Sequence, residues 1–289
     1  MSAFLDIRDL SVRLRRGGPI LRQVSLQVAE GEVRGLVGES GAGKSIIGKA
    51  VLGILPRALD HVGGDIMLDG ESLTALPAHD RRRVIGAKVA LIPQDPLTAL
   101  NPSRRIGPQI IGRLIDILGW RRAEARQRAL ELLTDVQIPE PERVLRLYPH
   151  ELSGGMRQRV LIASAFAAEP KLIVADEPTT ALDVTVQKRI LQLIAELQGK
   201  HGTALLFVTH DLGVVSKICQ KLTVLYAGKV VEDTDITRFF AGPDHPYSTA
   251  LLAATPKYTD PQDSLTPVPQ SVIDATEAEI AAFDARSGT

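Results

Sequence analysis

The sequence predicts an α/β protein, a mainly parallel sheet with helices on both sides. Three observations lead there. Residues 171–175 and 204–208 are unbroken apolar runs, the pattern of strands covered on both faces. Between them Val186, Ile190, Leu193, Ile194 and Leu197 mark one face of a helix that stops near Gly199 and Gly202. Earlier, residues 32–38 end in an apolar run, meet glycines, and lead into a second helical pattern. Buried strands that alternate with helices pair in parallel.

The remaining elements follow in order. Residues 4–14 and 23–28 alternate apolar and polar positions, as half-buried strands do. Residues 43–55 read as a helix, with Ile46, Ile47, Ala50, Val51 and Ile54 on the 3.6-residue period. Short strands are expected at 65–69, 88–92 and 222–226. Residues 103–147 turn helical and arginine-rich: Arg104, Arg105, Arg113, Arg121, Arg122, Arg126, Arg128, Arg143 and Arg146 stand against six acids. Such a pattern fits a solvated helical face or a docking surface. After about Gly242 the composition shifts to Pro, Ala, Thr and Asp. From Pro256 there are six acids and two bases, which predicts an appendage that is partly ordered at best. No internal repeat is visible.

Composition narrows the function classes. Lys and Arg number 34, Asp and Glu 34, so the net charge is zero and no chain-wide basic field invites nucleic acid. The single cysteine, Cys219, allows no internal disulfide and no multi-cysteine zinc or iron–sulfur site, and reads as a small buried apolar residue. No signal peptide and no run of about 20 apolar residues is present, so a cytosolic chain is expected.

Gly38-Glu39-Ser40-Gly41-Ala42-Gly43-Lys44-Ser45 fits G-x-x-x-x-G-K-[ST] between a predicted strand and a predicted helix. Glycines let the backbone wrap closely and aim its N–H groups inward, and the helix N-terminus adds positive potential. Lys44 would reach the β- and γ-phosphates of a nucleotide, and the Ser45 hydroxyl would ligate Mg2+. The run Leu172-Ile173-Val174-Ala175-Asp176-Glu177-Pro178 is an apolar strand ending in two acids. These would sit at the carboxyl edge of the sheet, where ligands collect. Asp176 would orient the magnesium shell, through water, and Glu177 would polarise the attacking water.

Leu152-Ser153-Gly154-Gly155-Met156-Arg157-Gln158-Arg159 lies between these motifs and resembles the signature of ABC-type ATPases. Other parts follow that family in order. Gln94 looks like its Q-loop, Ala181-Leu182-Asp183 resembles its D-loop, and His210 looks like its switch histidine. The run from Gln94 to Pro102, the LSGGMRQR variant, and the run from Asp244 to Leu252 (DHPYSTALL) resemble the ATPase subunits of peptide/nickel-type importers.

The resemblance implies a P-loop NTPase ABC cassette. It has a RecA-like core, an N-terminal antiparallel β-subdomain and an α-helical subdomain at about 103–165. The ATPase domain would span 1–242, with a C-terminal extension at 243–289. It implies ATP and Mg2+ as ligands, with Gln94 on the metal, His210 on the γ-phosphate beside Glu177, and Asp183 at a dimer contact. Ser153, Gly154, Gly155 and Met156 would meet the ATP of a second cassette, a paralogue or another copy of this chain. Two permease subunits and an extracytoplasmic substrate-binding protein would complete an importer, with this chain peripheral on the cytoplasmic face of the bacterial inner membrane and no nucleic-acid partner. The competing classes are a soluble ABC-type ATPase acting on nucleic acid and a non-hydrolysing regulatory module.

Two departures from the family stand out. Val12-Arg13-Leu14-Arg15-Arg16 lacks the aromatic residue that many members stack on adenine, leaving Leu14 or an arginine plane for that contact. The segment after His245-Pro246-Tyr247 lacks the cysteine cluster that many relatives carry, so no iron–sulfur centre is expected.

Overall fold

The computed structural model describes residues 3–180, 183–255 and 267–287. The chain forms two compact units, one from Met1–Leu76 with Leu206–Thr289, the other from Pro77–Leu205. Ala181 and Leu182 of the expected D-loop, and residues 256–266, lie outside the described residues.

The first run opens with strands β1 (Ala3–Leu14), β2 (Pro19–Ala29) and β3 (Val33–Val37). Helix α1 (Lys44–Val51) and strands β4 (Leu59–Leu68) and β5 (Glu71–Ser72) follow. β2, β1, β4 and β5 make an antiparallel sheet in that order. In β2, Leu21, Val24, Leu26 and Val28 are all buried while Gln23, Ser25 and Gln27 are exposed. α1 is shorter than its apolar period suggests. Gly53 takes a φ of 66° and donates its N–H to Ala50, which ends the helix.

The second unit holds α2 (Ala78–Lys88), β6 (Val89–Ile92), α3 (Pro96–Ala99), α4 (Ile106–Asp116), α5 (Arg122–Asp135), α6 (Pro141–Val144), α7 (Gly154–Ala167), β7 (Leu172–Asp176) and α8 (Val184–His201). β6 and β7 are parallel, with Ile92 opposite Ala175. The arginine-rich stretch is largely a solvated face, with two exceptions. Arg113 is half-buried and donates to the Gly86 and Val89 carbonyls at 2.9 Å, and burial lowers its pKa. Arg128 reaches Glu169 at 3.1 Å. α8 ends where Gly202 adopts the left-handed conformation.

The chain re-enters the first unit within β8 (Ala204–Val208) and continues as α9 (Leu212–Ile218), β9 (Lys221–Tyr226), β10 (Lys229–Asp235), α10 (Ile236–Ala241), α11 (Pro246–Ala253) and α12 (Gln270–Ser287). β3 runs parallel to β9, and β9 pairs antiparallel with β10. Cys219 is buried and its thiol is pushed up to about 12 by that burial, so it sits as an apolar residue.

Residues 270–287 form a helix with Thr276 and Ile280 buried. Its Asp284 pairs with Arg22 at 2.8 Å, and its Glu279 pairs with Lys229 at 2.6 Å. Two of its acids are thus matched by cations far away in the chain.

Candidate nucleotide site

β3 is buried at every position and delivers Gly38 at its carboxyl end. Gly38 has φ 151°, and a Cβ there would lie 2.1 Å from the Leu225 carbonyl oxygen of β9. Gly43, at φ 100°, would meet a Leu21 methyl at 2.7 Å. Gly41, at φ 87°, faces open space, and Glu39 to Gly41 are exposed. The floor of the loop is therefore pressed against the sheet, and its rim is open. Lys44 is 5% exposed, and its Nζ donates to Gly38 O at 2.7 Å and Glu39 O at 2.8 Å. That fixes an ammonium inside a turn of bare backbone at a helix N-terminus, which is an anion cradle. Ser45 follows on the first turn of α1 and is half-buried.

His210 lies in the same unit, exposed, at the end of β8. The Thr209 N–H donates to Leu36 O of β3 at 3.1 Å, which aligns this end with the strand that feeds the phosphate loop. Asp211 accepts from the Gly213 and Val214 N–H groups and starts α9.

In the second unit the parallel register of β6 and β7 brings their carboxyl ends together. Asp176 closes β7 and is half-buried, as is Glu177. The Gln94 amide donates to Glu177 Oε2 at 3.1 Å, and the Thr180 hydroxyl donates to the same oxygen at 2.8 Å. Glu177 itself has φ 46°, a conformation that costs about 1 kcal/mol for a residue with a Cβ and turns the chain sharply after the strand. Gln158, 1% exposed, donates to Pro178 O at 2.7 Å and so ties α7 to this turn. The sequence reading gave Gln158 no role. It lies at helical spacing with the buried Leu161, Ile162 and Ala165, and nothing local marks its partner, the Pro178 carbonyl.

α7 begins at the signature. The Ser153 hydroxyl caps it, accepting from the Met156 N–H at 3.3 Å. Gly154 and Gly155 stand on the first turn with nothing within 4 Å of a Cβ. Asp183 is exposed and caps α8 by accepting from the Val186 N–H at 2.9 Å. Around the missing aromatic, Arg15 is engaged by Asp60 at 3.0 Å, while Leu14 is 38% exposed and offers an apolar surface.

An α/β core with this phosphate loop defines a P-loop NTPase. Among such proteins the chain belongs to the ABC transporter family, whose model matches residues 21–180. It is 47% identical over 257 residues to a "probable peptide ABC transporter ATP-binding protein" of Sinorhizobium fredii (strain NBRC 101917 / NGR234), covering 87% of this chain and 76% of that protein. It is 43% identical over 270 residues to the dipeptide transport ATP-binding protein of Escherichia coli (strain K12), covering 92% and 83%. Among solved structures it resembles the dimeric ATP-binding cassette MJ0796 in a post-hydrolysis state bound to ADP and Pi, with TM-score 0.70, 28% identity, and 80% and 98% of the two chains covered. No helix of the described residues is long and apolar enough to cross a membrane.

Proposed function

We propose that this chain hydrolyses ATP to drive an ABC importer for peptides. The observation that carries the reading is the Glu177 carboxylate, fixed by Gln94 and Thr180 at the end of β7. A carboxylate held there polarises water for in-line attack on a γ-phosphate. Lys44 and the loop from Gly38 to Ser45 hold the phosphates, and His210 contacts the γ-phosphate. Among the described residues no group of three or more His, Cys, Asp or Glu is arranged to hold a resident metal. The Ser45 hydroxyl, the Gln94 amide and Asp176 instead suit Mg2+ that arrives with the nucleotide. When bound, that ion neutralises charge on the β- and γ-phosphates.

Ser153, Gly154, Gly155 and Met156 form the complementary face for the ATP of a second cassette, with Asp183 at the contact between the two. The open space at both glycines supports this, since nothing among the described residues fills it. The dimeric state of MJ0796 and the peptide-transport names of the relatives point the same way. Closing and opening of the pair would rock two permease subunits. Their cytoplasmic loops would dock on the region from Gln94 through α6, where Leu97 is 64% exposed. A substrate-binding protein outside the membrane would deliver the peptide, with this chain on the cytoplasmic face.

The test is Glu177→Gln with the partner cassette present. We expect ATP binding to persist while steady-state hydrolysis falls by roughly a hundredfold or more. Hydrolysis at the wild-type rate would remove Glu177 from the chemistry.

A further inference from the structure

A continuous set of contacts leads from the C-terminal helix to the phosphate loop. β9 and β10 are joined by the turn Ala227–Gly228, with φ values of 43° and 79°, the left-handed pair of a tight hairpin. The Gly228 N–H donates to Ala42 O of the phosphate loop at 2.9 Å, and the Gly228 carbonyl accepts from the Arg22 N–H at 2.8 Å. A Cβ on Gly228 would fall 1.9 Å from Ile20 O, so the turn is wedged between β2 and the loop.

α12 grips this turn on both sides. Arg22 donates from its side chain to Ala227 O, and its Nε lies 2.8 and 3.0 Å from the two Asp284 oxygens. Lys229, on the other side, donates to Glu279 at 2.6 Å and lies 5.1 Å over the Phe283 ring. Glu279 also meets His245 Nε2 at 3.1 Å, joining α11 to the same cluster. Next to the turn, Tyr226 reaches Glu277 at 3.5 Å and packs against Tyr247, with ring centroids 4.6 Å apart. Tyr247 is completely buried. Burial first, and then the Glu39 carboxylate of the phosphate loop, raise its pKa.

We infer that α12 is a positioning element for the phosphate loop: Asp284 through Arg22, and Glu279 through Lys229, hold the Ala227–Gly228 turn on which Ala42 is hung. The inference deepens the nucleotide reading given above and rests on it. An apolar strap would fix the same turn, but charge pairs make the grip breakable, since each partly exposed pair is worth about 1 kcal/mol or less.

The experiment uses the full chain and two readouts: MgATP affinity by titration calorimetry, and amide hydrogen exchange of the loop from Glu39 to Ser45. For Asp284→Asn with Glu279→Gln we expect ATP affinity to weaken roughly three- to tenfold, with faster exchange in the loop and at the Arg22 amide and unchanged exchange in β1. Asp284→Glu, which keeps the charge, should restore most of the affinity. A merely structural helix would change its own exchange alone. Affinity within about twofold of wild type together with unchanged loop exchange, while α12 itself exchanges faster, overturns the inference. A wild-type chain that bound no ATP would sink the nucleotide reading, and the exchange readout would still decide what α12 does.

Discussion

The phosphate loop and the signature turn are both glycine turns that open a helix, and they sit in their own units very differently. Gly38 and Gly43 have positive φ and crowd against Leu225 and Leu21, so no side chain fits. Gly154 and Gly155 have ordinary helical geometry and nothing within 4 Å of a Cβ. The first pair of glycines is required by this chain's own packing. The second is required by nothing among the described residues, and a residue left small without an internal reason points outward, to something that must approach the backbone closely.

The strongest way to break this contrast is Gly38→Ala. Its Cβ would meet a backbone oxygen at 2.1 Å, and a carbonyl in a sheet has no room to retreat. We expect a loss of about 3 kcal/mol or more in urea unfolding, together with loss of ATP binding. A stable, ATP-binding Gly38→Ala variant would show that the loop is not pinned to β9.

Ser153→Ala comes next. It removes the hydroxyl that accepts from the Met156 N–H and should cost about 1 kcal/mol in the same measurement. The same change should slow hydrolysis by the assembled pair more than that modest loss predicts, because the hydroxyl would also face the partner's γ-phosphate. Equal, small effects on stability and rate would make Ser153 only a helix cap.

What the sequence made legible divides along a similar line. Buried strands, the α8 period and the motif order could be read because each is local. Gln94, Asp176 and Glu177 were expected near one another on motif grounds, and the parallel register of β6 and β7 supplies the physical reason. Three features were not legible. Gln158 looked like one more polar residue on a helix until Pro178 was seen to accept from it. Tyr247 sat in a recognisable run, but nothing local says that its ring is completely buried against Tyr226 of β9. The pairing of Asp284 and Glu279 could not be read because their partners, Arg22 and Lys229, come from β2 and the start of β10. Charge composition counts residues, whereas pairing depends on which distant strand the helix lands on.

The smallest expected effect on stability is also the most discriminating. Gly154→Ala adds a methyl to the first turn of α7, where the space is open and the backbone already helical. Alanine loses less conformational freedom than glycine on entering a helix, so stability should hold or rise by a few tenths of a kcal/mol, up to about 1. Hydrolysis by the assembled pair should nevertheless fall, by roughly tenfold or more, since the methyl would stand where a partner's phosphate must reach the Gly154 and Gly155 N–H groups. Gains in stability and losses in rate rarely come from one methyl unless the site serves another molecule. A Gly154→Ala chain less stable by more than about 1 kcal/mol would mean that the glycine answers to its own fold after all, and the contrast with Gly38 would fail.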